Sequence, residues 1–211
     1  MKNDAEQIKF AIAGYGKMGK IREKSIMESD DAQLISIYEV VDHEYHDKNI
    51  ILCDSYEELL STDVDAVIVS AYVKVAADYV IRALNAGKHV FCEKPPSMTS
   101  KEMLEVIKAE KRTGKILKYG FNHRFHYSVM EAKKIISKGT LGKLLWLRGV
   151  YGKAGSIDFH DNWRNYKNYS GGGILLDQGI HMLDLFRYLS NSEFECLSSH
   201  LTTLFWNIEC E

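Results

Sequence analysis

Residues 8–19 read IKFAIAGYGKMG, an apolar run that stops at once in three spaced glycines. Ile8 to Ala13 has the character of a buried strand, and Lys20 to Glu28 continues as a stretch compatible with a helix. Strand, glycine turn and helix in that order are the context that gives the G-x-G-x-x-G pattern its meaning. Gly14 permits the tight turn, Gly16 lets the backbone approach a pyrophosphate, and Gly19 lets helix and strand pack closely. The helix start offers N–H groups and a positive dipole end to that phosphate.

Working outward, Gln33 to Tyr38 (QLISIY) reads as the second strand and ends in Glu39, twenty residues after Gly19. That is the spacing at which an acid accepts hydrogen bonds from the adenosine ribose hydroxyls, and a carboxylate there repels a 2′-phosphate, which favours NAD over NADP. Asp42 lies close enough in sequence to compete for the role, and a solvated strand-end acid is the plain alternative. His43 to Asp54 contains two histidines, but no third ligand accompanies them, so a polar loop and short strand outrank a metal site there. A helix at Tyr56 to Leu60, a strand at Ala66 to Val69, a helix from about Val75 to Ala86 and a strand at His89 to Cys92 follow. This alternation predicts repeated βαβ units and a doubly wound parallel sheet. A helix at Ser100 to Arg112, capped by Thr99 or Ser100, and a strand at Ile116 to Gly120 close a first domain over residues 1–120.

Lys88 to Thr99 (KHVFCEKPPSMT) holds the only two prolines of the chain. Pro95 restricts how Lys94 leaves the strand. Ligands of such sheets bind beyond the carboxyl ends of the strands, and Gly14, Glu39, Ser70 and Lys94 all fall there. A solvated Glu-Lys turn is the alternative for the tetrapeptide alone; the shared edge is what raises Lys94 above it.

Residues 121–211 form the second domain. Phe121-Asn122-His123-Arg124-Phe125 places polar groups at a strand end, Tyr127 to Ser137 reads as a helix and Leu144 to Tyr151 as a strand. After a loop containing Trp163-Arg164, Gly171-Gly172-Gly173 opens a helix from Ile174 to Leu189. Asp177, His181, Asp184 and Tyr188 form one polar stripe on that otherwise apolar helix, and Asp177 and His181 are close enough to touch. A buried hydrogen-bond network, a metal site and an acid/base histidine all compete for it. One imidazole and two carboxylates on a single helix do not surround an ion, so no metal is expected. A histidine suits proton transfer near neutral pH.

The chain has 211 residues, 45% of them apolar, and a net charge of -2. Without a long Lys/Arg block it lacks the footprint of a nucleic-acid partner. Four dispersed cysteines with no Cys-x-x-Cys pair fit reduced thiols, and neither a signal peptide nor a membrane-spanning run is legible. These features predict a cytoplasmic protein.

Taken together, GYGKMG at 14–19, VDAVI at 64–68, AGKHVFCEKP at 86–95 and GGGILLDQGIHMLD at 171–184 resemble the glucose-fructose oxidoreductase / inositol dehydrogenase / MocA family, in the right order from about residue 8 to 190. The resemblance implies a Rossmann domain followed by an α/β domain with a large, open, mainly antiparallel sheet. It also implies oxidation or reduction of a sugar, nucleotide sugar or cyclitol with NAD(P). Carried over by position, Lys94 and His181 match the catalytic pair and Asp177 the acid that orients substrate. Gly14, Gly16, Lys17, Met18 and Gly19, with Glu39, Ser70, Ala71, Glu93 and Lys94, fall at cofactor positions; Asn122 would sit near nicotinamide and substrate, and Trp163-Arg164 would close over the cofactor.

The chain departs from the family in three places. Ser70-Ala71-Tyr72-Val73-Lys74-Val75 stands where Thr-Pro-Asn-x-x-His is usual, and Arg22 where a histidine often follows the glycine loop. The family also continues beyond the strand-like Glu195 to Glu211, so the second domain is expected to be partial, with an open sheet through which copies self-associate into a homo-oligomer. The resulting expectation is an NAD-dependent oxidoreductase. Its rivals are a non-catalytic NAD(H)-binding sensor or interaction protein, and a sugar-cleaving or isomerising enzyme that uses held NAD transiently.

Overall fold

In the computed structural model, which describes residues 7–41, 45, 47–152 and 162–202, the chain divides into two units, Met1–Gly120 and Phe121–Glu211. The first unit runs β1 (Ile8–Ala13), α1 (Lys17–Met27), β2 (Ala32–Tyr38), β3 (Ile51–Cys53), α2 (Tyr56–Ser61), β4 (Ala66–Val69), α3 (Val73–Asn85), β5 (His89–Cys92), α4 (Ser100–Thr113) and β6 (Leu117–Tyr119). All six strands pair in parallel in the order β3-β2-β1-β4-β5-β6. Strand order reverses between β1 and β4, which makes the crevice at their carboxyl ends the topological switch point.

Both faces of the sheet are covered, as its apolar strands require. Alternate residues of β1 point to opposite sides: Ala11 and Ala13 join one core with Tyr56, Leu59, Val80, Leu84 and Val106, while Ile12 joins another with Ile26, Leu34, Ile37 and Ile68. The buried residues of α3, Val73, Ala76, Ala77, Val80, Ala83 and Leu84, recur at the three- and four-residue spacing of a single helix face. Cutting a fully buried side chain such as Leu84 back to alanine would cost ~2–5 kcal/mol. Helix α4 starts at a capping box in which the Thr99 side chain accepts from Glu102 N while Glu102 accepts from Thr99 N, and it stops at Gly114 in the left-handed region.

The second unit contains a 3-10 turn (Asn122–Phe125), α5 (Tyr127–Ser137), a second 3-10 turn (Trp163–Asn165), the short α6 (Lys167–Ser170), a π-helical segment (Leu175–Gly179) and α7 (Ile180–Ser190). Two expectations change here. The helix predicted from Ile174 to Leu189 is wound wide over its first turn, where glycines at 171–173 and 179 hold the α geometry weakly. The segment Leu144 to Tyr151 forms no strand, because among the described residues no sheet edge pairs with it; a strand without a ladder leaves its backbone groups to water. Its backbone at Gly149 lies directly against the Met182 and Phe186 side chains of α7 instead.

Every strand among the described residues therefore lies in the first unit, and the antiparallel sheet expected for residues 121–211 is not seen in the described part; 203–211 of the expected tail lie outside it. Leu145, Trp146, Val150 and Leu197 are exposed. Cys53 and Cys92 are buried free thiols and Cys196 an exposed one. Among the described residues, no helix is long and apolar enough to cross a membrane.

Candidate functional site

The residues that follow four of the strands lie in one row, because the parallel ladder runs one bond past each strand end. Gly14 N donates to Tyr38 O, Ser70 N to Ala13 O, Glu93 N to Val69 O and Gly120 N to Cys92 O, all at 2.8 Å. This register brings the glycine turn, Ser70 and Glu93 to a single edge.

The turn itself is shaped by close contacts. Gly14 has φ +93°, and a Cβ there would come within 2.5 Å of Ala71 N, so only glycine fits. Ser70 Oγ donates to Gly14 O at 2.5 Å, which ties the turn to the end of β4. Ser70 and Ala71 thus hold the turn from behind. Gly16 is different: a Cβ added there would meet nothing within 4 Å. It caps α1 with no side-chain hydrogen bond and no acid in the first turn, so the N–H groups of the helix start, with Lys17 and Met18 as its first residues, open onto that space. Open backbone donors and a positive helix end fit the pyrophosphate of a dinucleotide.

Glu39 lies beside this turn. Its carboxylate accepts from Tyr15 N at 2.5 Å, Val40 N at 2.7 Å and Val41 N at 3.1 Å, which fixes it at the end of β2. A second acid, Glu23 on α1, takes the hydroxyls of Tyr15 and Tyr45 on its two oxygens, each at 2.5 Å, with the two rings edge to face. Burial raises the Tyr15 hydroxyl above its usual pKa, and Glu23 adds to that shift. Asp42, His43 and His46 lie outside the described residues.

At the end of β5, Glu93 pairs with Arg22 of α1. The next residue, Lys94, is half-buried and joined to Pro95 by a cis peptide bond.

In the second unit, His181 is buried, with the His123 ring stacked on it at a centroid distance of 3.9 Å and Phe121 edge-on at 6.2 Å. Asn122, exposed, opens the 3-10 turn that carries His123 and Arg124. The Arg124 guanidinium forks onto the Asp184 carboxylate and lies 5.1 Å over Tyr188, so two members of the polar stripe have a structural role. Asp177 accepts from Gln178 Nε2 at 2.9 Å and lies 3.4 Å from Arg164 Nε, whose guanidinium covers the Trp163 ring. The structure thus gathers Trp163, Arg164 and Asp177, and separately His123 and His181. With Asp184 engaged by Arg124, the metal reading of the stripe loses a ligand; among the described residues no three His, Cys, Asp or Glu side chains gather to hold an ion.

Sequence reasoning did not find the roles of Arg22, Glu23, Tyr45, His123 and Arg124. Arg22 and the Asn122-His123-Arg124 run stood out as a departure and as polar residues at a strand end, but their partners lie far away in the chain.

Comparison with known proteins agrees with this architecture. The model of the GFO/IDH/MocA oxidoreductase family, NAD-binding Rossmann fold, matches residues 8–121, and that of the GFO/IDH/MocA C-terminal domain matches residues 129–211. Myo-inositol 2-dehydrogenase of Thermotoga maritima is 32% identical over 194 residues, 89% of this chain and 56% of that protein. The scyllo-inositol 2-dehydrogenase (NAD(+)) of Bacillus subtilis is 29% identical over 92% of this chain and 57% of its own length. Among solved structures, myo-inositol 2-dehydrogenase from Lactobacillus plantarum superposes with a TM-score of 0.77 at 26% identity, covering 88% of this chain and 57% of that one. The chain spans a little over half the length of these relatives.

Proposed function

Because the chain belongs to the GFO/IDH/MocA oxidoreductase family, we propose that it is an NAD-dependent oxidoreductase acting on a secondary alcohol of a sugar, nucleotide sugar or cyclitol. The observation that carries the reading is the single edge on which the ladder aligns the open glycine turn with Ser70 and the Glu93-Lys94 pair. When bound, the dinucleotide supplies the hydride acceptor.

The protein's part is to bind, orient and move protons. His181 takes the proton of the alcohol as general base, and the Lys94 ammonium stabilises developing negative charge on oxygen. Asp177, held by Gln178 and beside Arg164, orients the substrate hydroxyls. Trp163, Arg164 and Asn122 act at the nicotinamide side, and Glu39 at the adenosine ribose. The fixed Glu39 carboxylate supports NAD over NADP, since it would face a 2′-phosphate with like charge. The relatives' inositol substrates support the choice of cyclitols within the alcohols. Free thiols at Cys53, Cys92 and Cys196 suit a reducing, cytoplasmic setting, and exposed Leu145, Trp146 and Val150 support self-association through the second unit.

The test is nicotinamide fluorescence during incubation with NAD and a panel of sugars and cyclitols. Net NADH accumulation is expected with at least one of them. Product without accumulation would point instead to internal redox. NADH binding with no product would favour the second reading, a sensor, which draws on the absence of a strand among the described residues of the second unit.

A further inference from the structure

Arg22 lies on α1, three residues past the last glycine of the turn, and reaches across to the end of β5. Its Nε donates to Glu93 Oε1 at 2.7 Å, and Nη2 reaches the same oxygen. The guanidinium carbon lies 4.8 Å over the Phe91 ring, so the fork is held from below as well as from its tip. The pair is mostly shielded, with side-chain exposures of 22% for Arg22 and 11% for Glu93.

The other carboxylate oxygen points elsewhere. Glu93 Oε2 lies over Gly120, where a Cβ would come within 2.6 Å of it, so glycine there leaves the space the carboxylate occupies. Among the described residues no donor is bonded to Oε2. Arginine below, ring beneath it and glycine floor leave this carboxylate one orientation, with one oxygen engaged and the other available as an acceptor.

The sheet order says which half of a ligand that oxygen would meet. Glu39 marks the β2 side of the glycine turn, the adenosine side. Glu93 lies two strands to the other side of β1, across β4, roughly 10 Å away at ordinary strand spacing.

We propose that Arg22 is a positioning residue: it fixes Glu93 so that Oε2 accepts a hydrogen bond from a hydroxyl on the nicotinamide-ribose half of the dinucleotide. The inference rests on the cofactor reading of Glu93 given above. A free glutamate must lose rotamer freedom when it binds, and an arginine that donates twice to one of its oxygens removes that loss before the ligand arrives.

The test is titration of NADH, and of ADP, which lacks the nicotinamide ribose, against the parent chain, Arg22→Ala, Arg22→Lys and Glu93→Gln, with unfolding midpoints measured alongside. Arg22→Ala should weaken NADH about tenfold and change ADP less than about twofold, with Arg22→Lys intermediate because it keeps the charge and loses the fork. In the double variant Arg22→Ala/Glu93→Gln, the losses should not add. Equal weakening of NADH and ADP, or unchanged NADH binding by Arg22→Ala while Glu93→Gln weakens it, overturns the positioning role alone. Unchanged NADH binding by Glu93→Gln takes down the cofactor reading of Glu93 and this inference with it. Should Arg22→Ala fail to fold, the NADH-to-ADP contrast in Arg22→Lys decides.

Discussion

The imidazole of His123 lies face to face with that of His181, their centroids 3.9 Å apart and their planes 17° from parallel. Tyr151 lies beside this pair with its ring nearly parallel to both, 5.7 Å from His123 and 6.4 Å from His181. A ring stacked on one face restricts how His181 can turn, and in the proposed general-base role its orientation decides which proton it can reach. His123→Ala should lower turnover about three- to tenfold, in line with the ~0.5–1.5 kcal/mol of an aromatic pair. His123→Phe keeps a flat ring and should stay within about twofold. Comparing kcat and KM for the two variants checks this; equal losses would show that the imidazole, not the plane, is required.

The proposed function gives Lys94 and His181 the chemical step. Lys94→Ala and His181→Ala should each reduce turnover by ~10²–10⁴ while NADH affinity moves only a few-fold. Steady-state assays with a fluorescence titration measure both quantities, and near-parent turnover in the two variants would remove them from the mechanism.

Glu39 offers a charge-based test of cofactor choice. Glu39→Gln keeps an oxygen for Tyr15 N and removes the negative charge. The ratio of NADPH to NADH affinity should rise about tenfold, a modest share of a close like-charge repulsion. Parallel titrations with the two nucleotides check it, and an unchanged ratio would mean that Glu39 does not face the ribose.

The Arg124–Asp184 pair joins the 3-10 turn to α7, and its side chains are 37% and 6% exposed. Arg124→Ala strands a buried carboxylate and should destabilise the chain by about 2–3 kcal/mol, less than a fully buried pair because the arginine is partly solvated. Arg124→Met combined with Asp184→Leu should recover most of that loss, as read by urea unfolding.

Alkaline pH should weaken the fold. Burial pushes the Cys53 thiol from 9.0 up to about 11, and burial likewise raises the hydroxyls of Tyr56, Tyr79 and Tyr119. Each group stays neutral in the folded chain where the unfolded chain would ionise it, so the folded state holds more protons and stability falls as pH rises. The Cys53 contribution is whole below pH 9.0 and is lost through about 11. Urea midpoints should drop across this range, and Cys53→Ala should show a smaller early decline; a flat profile would contradict the shift.

The order strand, glycine turn, helix was legible because each part is local. Gly14 must turn with positive φ, Ala11 to Ala13 must be buried on both faces, and alternating apolar strands and helices admit few arrangements other than a parallel sheet. The positions of Gly14, Glu39, Ser70 and Lys94 at strand ends followed from the same periodicity. The predicted strand at Leu144 to Tyr151 failed for the complementary reason: an apolar run proposes a strand, but only a neighbouring edge can complete one.

What tertiary structure alone decided is who meets whom. Arg22 finds Glu93 across 71 residues and Arg124 finds Asp184 across 60. The His123 ring settles on His181, and the first turn of the last helix widens around its glycines. Sequence spacing specifies contacts within a helix or strand, where the backbone fixes the distance; a contact between elements exists only once the sheet and helices have closed and brought their side chains into range.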